Sequence, residues 1–497
     1  MRRLSRRPTT VAGSDSGVAR QLGPGTIACV VDDDPRFHLD ALRWYASLTG
    51  VAGVDPTDLV VHVVGRHDTD ALDLLRSKGV TIRPVKPFDS RSPHCNKISG
   101  ALSLAEENVE GVAVLTDTDV VVCEDPRAYP VEPDAVAMKC VDGPNPPFAI
   151  VELVFSEAGV ELPPLVSLDF MPKSRTVEGN ANGGIYVLRG ELLRPLATAW
   201  SHWARWLLER IELLGPFPKY VDQIAMALAL RDAQIATQRL HPRWNMPTHV
   251  PKWIPRKASP PAVLHYHEAV QTTALVSLVG NRIIDARIDE CNAAISELWS
   301  ERFPLNSFWD WRYRSNPVLG PGPGSRGAAL VAKRELLTMV LDDVRPESTL
   351  DVGCGDGEAT RGLALPRYVG IDQSAEAVRL GRQTREGAEF VVGTLQDPAL
   401  VADLTICLDV LIYQPDPAAY RDLVLRLLRS AKSALLVSGY EAPPTSTAPA
   451  LRFYEPLSTS IRRVAPDADL RLLHTAQGIT TWLVDTRSAG ALPLRPS

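Results

Sequence analysis

No run of residues in this chain approaches the ~20 apolar positions that a membrane-spanning helix requires, and no Cys-x-x-Cys pair occurs among its seven cysteines (29, 95, 123, 140, 291, 354 and 407). The first absence excludes an ordinary membrane span. The second excludes a zinc ribbon, and an odd, scattered set of thiols excludes a disulfide scaffold and points to a reducing compartment. A basic surplus is lacking as well: 53 Lys and Arg stand against 59 Asp and Glu, a formal charge of −6. What basic excess exists lies at the start, where Arg2, Arg3, Arg6, Arg7 and Arg20 face only Asp15, so the remaining body is more acidic than the total. That is the wrong sign for a general nucleic-acid binder, which must displace counterions from phosphates. The basic start has no apolar segment behind it, so it does not read as a signal peptide. A disordered tail over residues 1–25 of a cytoplasmic protein is expected, with contact to an anionic membrane surface as the lesser reading.

What is present is ordinary globular material. A chain of 497 residues, 45% hydrophobic and 23% charged, is too long for one core and suits two or three domains. Apolar runs alternate with amphipathic stretches in two series. The first has strand-like runs at 26–31, 59–64, 80–83, 112–116 and 185–188, with helical patterns at 39–48, 70–77 and 97–106. The second has strand-like runs at 349–352, 368–371, 389–392, 404–407 and 434–437, separated by helical segments such as 375–382 and 418–429. Strands alternating with helices predict mostly parallel sheets covered on both faces. The fold class is therefore α/β, with two doubly wound domains joined by a tryptophan-containing helical segment.

In the second series, Leu350-Asp-Val-Gly-Cys-Gly-Asp-Gly357 stands where a strand turns into a helix, and Asp372 ends the next strand. Glycines there let the backbone approach a bulky ligand, and the acid can bind two ribose hydroxyls. A dinucleotide site would want a third glycine at 358, where Glu358 stands. Asp351 suits the ammonium of a methionyl group instead, which favours S-adenosylmethionine over NAD. A tight turn without ligand is the plainer alternative.

With these residues the segment from Asn306 to Thr486 resembles the class I methyltransferases. The lead-in Phe308-Trp-Asp-Trp-Arg-Tyr313, the glycine loop 322–327 and Lys333 resemble one bacterial branch of them. The resemblance implies that Gly353, Gly355 and Gly357 line the methionine end of S-adenosylmethionine. It further implies that Asp351 takes the ammonium, Asp372 the ribose, and Thr394 and Leu395 the adenine. Asp409-Val-Leu-Ile-Tyr-Gln414 then faces the methyl group. Gln414 stands where relatives often carry a histidine, and glutamine cannot take a proton. A base for hydroxyl methylation must therefore come from Asp409, Glu441 or His474.

In the first series, Asp117 and Asp119 lie one residue apart at the end of an apolar strand, on one face of an extended chain. Paired carboxylates there suit Mg²⁺ or Mn²⁺, although turn-capping aspartates read the same way. Three further segments follow in order: Gly179-Asn-Ala-Asn182-Gly183-Gly184, Tyr220-Val-Asp222-Gln223, and His265-Tyr-His267. Together they resemble GT-A fold glycosyltransferases over residues 26–268, most closely the retaining glycogenin and galactosyltransferase-like group. The resemblance implies a metal held by Asp117, Asp119 and His265, bridging a donor's diphosphate. It places Asp32, Asp33 and Asp34 at the nucleoside, and Asn96 and Lys97 at phosphate or sugar. Asn182 and Gly183 fall at donor sugar or acceptor, and Asp222 and Gln223 near the anomeric carbon. Trp200, Trp203 and Trp206, spaced by three, read as helix packing, and His38 and His94 as core or surface.

The expectation is thus a bifunctional cytoplasmic enzyme: a tail (1–25), a sugar-transferring domain (26–268), a helical connector (269–305) and a methyltransferase domain (306–497). Its substrates would be a nucleotide-sugar donor, a glycan or small-molecule acceptor, and S-adenosylmethionine. Two rivals stand beside it. In one, the methyltransferase-like half binds without catalysing. In the other, the first half is a nucleotidyltransferase, a class that usually opens with a Gly-rich, Lys/Arg-bearing loop where this chain has Val31-Asp-Asp-Asp-Pro35.

Overall fold

The computed structural model describes residues 25–250, 252, 254, 259–315, 320–445, 448 and 450–487. The expected basic tail, apart from Gly25, lies outside them. In chain order the first half runs β1 (Gly25–Val31), α1 (Pro35–Gly50), β2 (Leu59–Val64), α2 (Asp70–Ser77), β3 (Thr81–Val85), α3 (Asn96–Ala105), β4 (Val112–Thr116), β5 (Val120–Val122) and β6 (Ala135–Cys140). It continues with α4 (Phe148–Ala158), β7 (Leu165–Ser167), β8 (Arg175–Val177), β9 (Ala181–Arg189), α5 (Gly190–Leu208), α6 (Val221–Asp232), β10 (Ala236–Arg239), β11 (Met246–Pro247) and β12 (Val263–His265). Local chemistry sets several helix starts: Asp34 and Thr69 accept from backbone N–H groups of α1 and α2, and Pro35 opens α1 where no amide donor is needed.

The main sheet has the order β10-β6-β9-β4-β1-β2-β3. It is parallel except for β9, which runs antiparallel to β4 and β6. Every residue of β2 and β4 is buried, as befits strands covered on both faces. A small second sheet, β11-β12-β5, pairs His265 with Val120 antiparallel. That register delivers the His265-Tyr-His267 segment to the aspartates between β4 and β5.

Two helices follow, α7 (Arg282–Glu301) and α8 (Leu305–Ser315). The apolar stripe of α7 (Ile284, Ile288, Cys291, Ile295, Trp299) is buried in the same core as α1, so the expected connector is an integral layer of the first half. Phe308 and Trp311 of α8 join that core too.

The second half comprises α9 (Gly327–Val344), β13 (Thr349–Val352), β14 (Tyr368–Asp372), α10 (Ala375–Thr384), β15 (Glu389–Val392), β16 (Ala402–Cys407), α11 (Pro417–Ser430), β17 (Ala431–Tyr440), α12 (Leu457–Val464), β18 (Asp469–Ala476) and β19 (Ile479–Asp485). Its sheet order is β15-β14-β13-β16-β17-β19-β18, parallel except for β19, which runs antiparallel to β17 and β18. In such a sheet, ligands sit outside the carboxyl ends of the strands where the order reverses, between β13 and β16. Among the described residues no helix is long and apolar enough to cross a membrane, and all seven cysteines are buried thiols.

Candidate active sites

The turn after β4 splits its two aspartates between different partners. Asp117 Oδ1 lies 2.7 Å from the Lys97 ammonium, which also lies 3.2 Å from Asp222 Oδ2. Lys97 comes from α3 and Asp222 from α6, so one half-buried cation ties the strand end to two helices. Burial opposes its charge, but Asp117 and Asp222 outweigh that and hold the ammonium well above its ordinary range. Gly183 of β9 leaves room here: a Cβ would come within 2.5 Å of Lys97 Nζ and 3.2 Å of Asp117 Oδ2. Asp222 is buried, and its backbone carbonyl accepts from Trp200 Nε1 at 2.8 Å. The neighbouring Gln223 has a buried carbonyl oxygen with no hydrogen-bond partner.

Asp119 faces the other way, 3.2 Å from His265 Nε2, 3.8 Å from His267 Nδ1 and 3.7 Å from Arg36 Nη2. Burial works against its carboxylate, yet His265, His267 and Arg36 together pull it below the usual carboxylate range. Burial and the adjacent His265 push His267 down to about 3, leaving a neutral imidazole. His265 is oriented from behind, its Nδ1 3.1 Å from Asn182 Oδ1, which also accepts from Gly184 N and Asn245 Nδ2. Such an outer partner fixes the tautomer of a ligating histidine. The ligand atoms of Asp119, His265 and His267 lie within 4.8 Å of one another, and one carboxylate with two imidazoles is a donor set that suits a divalent cation.

The second half carries a cavity of about 970 Å³ at the carboxyl ends of β13, β14 and β16. Asp351, Gly353, Asp372, Thr394, Leu395 and Asp409 all line it. Gly353, Gly355 and Gly357 have φ of 77°, 57° and 74°, a left-handed backbone that side chains disfavour. Asp372 accepts from Gly355 N and Ser374 N, both at 2.9 Å, so one carboxylate joins the glycine turn to the start of α10. Asp351 accepts from the Tyr368 hydroxyl at 2.8 Å. Asp409, at φ 60°, exchanges hydrogen bonds with Ser438 and is paired with the Lys333 ammonium. Trp309 and Tyr313 of α8 close the cavity from the far side. A turn too tight for side chains, acids at its rim and a roomy cavity fit an adenosyl cofactor.

Residues 27–234 match the family model described as the Rhodobacterales glycosyltransferase domain, and residues 345–448 match that of a methyltransferase domain. The chain joins a glycosyltransferase domain to a methyltransferase domain. A curated relative, the trans-aconitate 2-methyltransferase of Azoarcus sp. strain BH72, is 37% identical over 105 residues, 20% of this chain and 41% of that protein. The match thus spans about two fifths of the relative's length. Among solved structures, the galactosyltransferase LgtC, determined with donor and acceptor sugar analogues, is 13% identical. That likeness covers 54% of this chain and 95% of that one, with a TM-score of 0.34. Magnesium protoporphyrin IX methyltransferase from Synechocystis PCC 6803, with bound SAM, is 19% identical over 36% of this chain and 94% of that one, TM-score 0.28.

In the glycosyltransferase domain the motif aspartates, Lys97, Asn182, Gly183, Asp222, Gln223 and His265 converge behind the turn after β4. Asn182 supports His265 and donates to Asp142. Asp34 caps α1 and Asp33 accepts from Arg66 N, while Asp32 and Asn96 bond each other. In the methyltransferase domain, Glu441 is occupied by Ser458 and Trp482, His474 is exposed on the edge strand β18, and Asp409 lines the cavity. The sequence reading missed Arg36 beside Asp119 and the placing of Trp309 and Tyr313, since neither carries a local pattern.

Burial pushes Asp351 and Asp372 up to about 6. Their folded values exceed the unfolded carboxylate value of about 3.9. They therefore favour the ligand-free fold at low pH, and that contribution is lost as pH rises through about 6. A cationic or hydroxyl-bearing ligand needs their charged forms, so affinity runs the opposite way. Calorimetric titration with S-adenosylhomocysteine is expected to weaken by about tenfold from about pH 7.5 to about pH 5.5. An Asp372→Asn variant should show a flatter profile, and an equal slope in that variant would count against this origin.

Proposed function

We propose that the glycosyltransferase domain transfers a sugar from a nucleotide-sugar donor, with retention, to a glycan or small-molecule acceptor. The methyltransferase domain then methylates a hydroxyl using S-adenosylmethionine. The observation carrying the first half is the Asp117–Lys97–Asp222 cluster set back to back with the Asp119–His265–His267 set. Asp119, His265 and His267 would hold Mn²⁺ or Mg²⁺, which when bound supplies positive charge against the departing diphosphate. Asp117, expected from the sequence as a ligand, is engaged by Lys97. Lys97 brings a second cation to the same strand end, and Gln223 offers an unengaged carbonyl oxygen one residue from Asp222. In the second half, S-adenosylmethionine when bound supplies an electrophilic methyl group. Asp351 would take its ammonium, Asp372 its ribose, and Asp409, steadied by Lys333 and Ser438, would orient the acceptor hydroxyl and receive its proton.

Fusing the two domains raises the concentration of one product near the other site, so a shared glycan acceptor is the reading preferred here. The alternative, a methyltransferase half that only binds, draws on Gln414, whose side-chain amide donates to Val410 O at 3.1 Å. Transfer of a tritiated methyl group to any acceptor disposes of it.

The test of the donor site is a thermal-shift screen of nucleotide sugars with and without Mn²⁺. At about 100 times its Kd the right donor adds about 2.7 kcal/mol of stability. The shift should need Mn²⁺, vanish in Asp119→Ala and shrink in Asp117→Ala. An identical shift in both variants overturns the metal assignment, and no shift with any donor overturns the nucleotide-sugar reading.

A further inference from the structure

Helix α8 belongs to both domains at once. Its Phe308 and Trp311 are buried in the glycosyltransferase core, while Trp309 and Tyr313 line the methyltransferase cavity. The first domain also supplies its N-terminal cap. Asp70 of α2 accepts from Asn306 N at 2.8 Å, Ser307 N at 3.1 Å and the Ser307 hydroxyl at 2.5 Å, satisfying amides that a helix start leaves open. Asp70 itself reaches the cavity wall.

On this helix Asp310 is nearly buried and spans the seam. Its Oδ2 pairs with Arg66 Nη2 of the first domain at 3.4 Å. Its Oδ1 accepts from Ser374 Oγ at 2.7 Å and Glu376 N at 3.2 Å, at the start of α10 in the second. Each end continues into a site. Arg66 donates its backbone N–H to Asp33 Oδ1 at 3.0 Å, and Asp34 lies 3.5 Å from Arg314 Nε of α8. Ser374 donates its backbone N–H to Asp372, which in turn accepts from Gly355 N. Tyr313, one residue before Arg314, packs under the glycine turn, where a Cβ on Gly355 would come within 2.5 Å of its hydroxyl.

We propose that Asp310 is a positioning residue for both sites: through it, a nucleotide at the Asp33–Asp34 turn and an adenosyl cofactor at the Gly353–Gly355 turn strengthen each other's binding. The inference rests on the reading of those two turns as ligand sites. The physical basis is ordering. Asp33 is exposed and the Arg66 side chain is 45% exposed, so a ligand at Asp33 has side-chain freedom left to remove at Arg66. A nucleoside gripped by Asp33 and Asp34 immobilises that turn and aims Arg66 at Asp310. Asp310 then holds Ser374, Asp372 and the glycine turn in the geometry the cofactor needs. Whichever ligand binds second has less ordering left to do, and the effect must be equal in both directions. The exposed Arg314–Asp34 pair adds little by itself.

The experiment uses the full chain and calorimetric titration. S-adenosylhomocysteine is titrated alone and in the presence of saturating nucleoside diphosphate, taken from a panel of the uridine, guanosine, cytidine and thymidine forms with Mn²⁺. A rise in S-adenosylhomocysteine affinity of about fivefold or more is expected, with the same factor in the reverse order. Arg66→Ala keeps its backbone N–H to Asp33 and loses only the guanidinium, so each ligand should still bind singly while the factor falls to one. Arg66→Lys should restore part of it, and Asp310→Asn, which keeps an acceptor oxygen for Ser374, should behave as Arg66→Ala. A merely structural seam would change stability but not this factor. If both ligands bind the unaltered protein independently or antagonistically, or if the factor survives Arg66→Ala, the inference is overturned and the two site readings stand. If either ligand fails to bind the unaltered protein alone, the reading of that turn falls and the inference with it.

Discussion

Asp119→Ala is expected to lower sugar transfer by about 10²–10³-fold, the cost of removing one element of a preorganised electrostatic site. The size of the effect follows from the number of groups that meet at this carboxylate. His265, His267 and Arg36 all converge on it within 3.8 Å, and Arg36 is also held by Glu268 at 3.0 Å and Asp40 at 3.4 Å. Without it, a candidate cation loses the oxygen ligand of the Asp119–His265–His267 set. Asp117→Ala should cost less, because Lys97 keeps Asp222 as a partner at 3.2 Å. The measurement is hydrolysis or transfer of whichever nucleotide sugar the thermal-shift screen selects. S-adenosylhomocysteine binding by the same preparation reports that the protein is folded. Activity of Asp119→Ala within about threefold of the parent would show that the strand-end acids do not serve the transfer, against the usual 10²-fold or greater penalty.

Gly353→Ala is expected to weaken cofactor binding by roughly thirtyfold or more. The residue sits at φ 77°, and a Cβ there would lie 2.1 Å from Val410 Cγ2. The left-handed backbone costs an alanine about 1–2 kcal/mol, and forcing a methyl against a packed side chain about 1–3 kcal/mol. Together these amount to roughly thirtyfold to a few thousandfold in affinity. The loss should be local because Gly353 N and Cys354 N both bond to Ile371 O, so a displaced turn drags Asp351 and Asp372 out of register without unpairing the sheet. The two contributions can be separated. Adding Val410→Ala removes the collision and not the backbone strain, so the double variant should recover only part of the affinity. Full recovery would mean that φ is not limiting, and no recovery that the collision is not.

Much of this molecule was legible in the chain because it is written locally. Alternation of apolar runs placed β2 and β4 at their observed bounds, and α2 likewise, since a helix cap at Thr69 and a buried stripe every three or four residues are contained within one segment. The glycine turn with Asp351 and Asp372 was readable for the same reason, as strand, tight turn and acid follow one another. The direction of β9 was not readable: an apolar strand has the same period whichever way it runs, and only its pairing with β4 and β6 sets it antiparallel. The role of α7 escaped too, because an amphipathic helix does not name the surface that will cover it.

By itself, then, the order of residues determined two α/β domains, a strand-end pair of aspartates and a glycine turn able to cradle an adenosyl group. Tertiary structure alone decided that Asp117 and Asp119 face different partners, that Asn182 holds His265, and that one short helix is shared between the domains with Asp310 at its centre. The physical reason is range. Turns, caps and apolar periods act over a few residues, whereas Arg66 and Asp310, 244 positions apart, meet only after both sheets have closed around their cores.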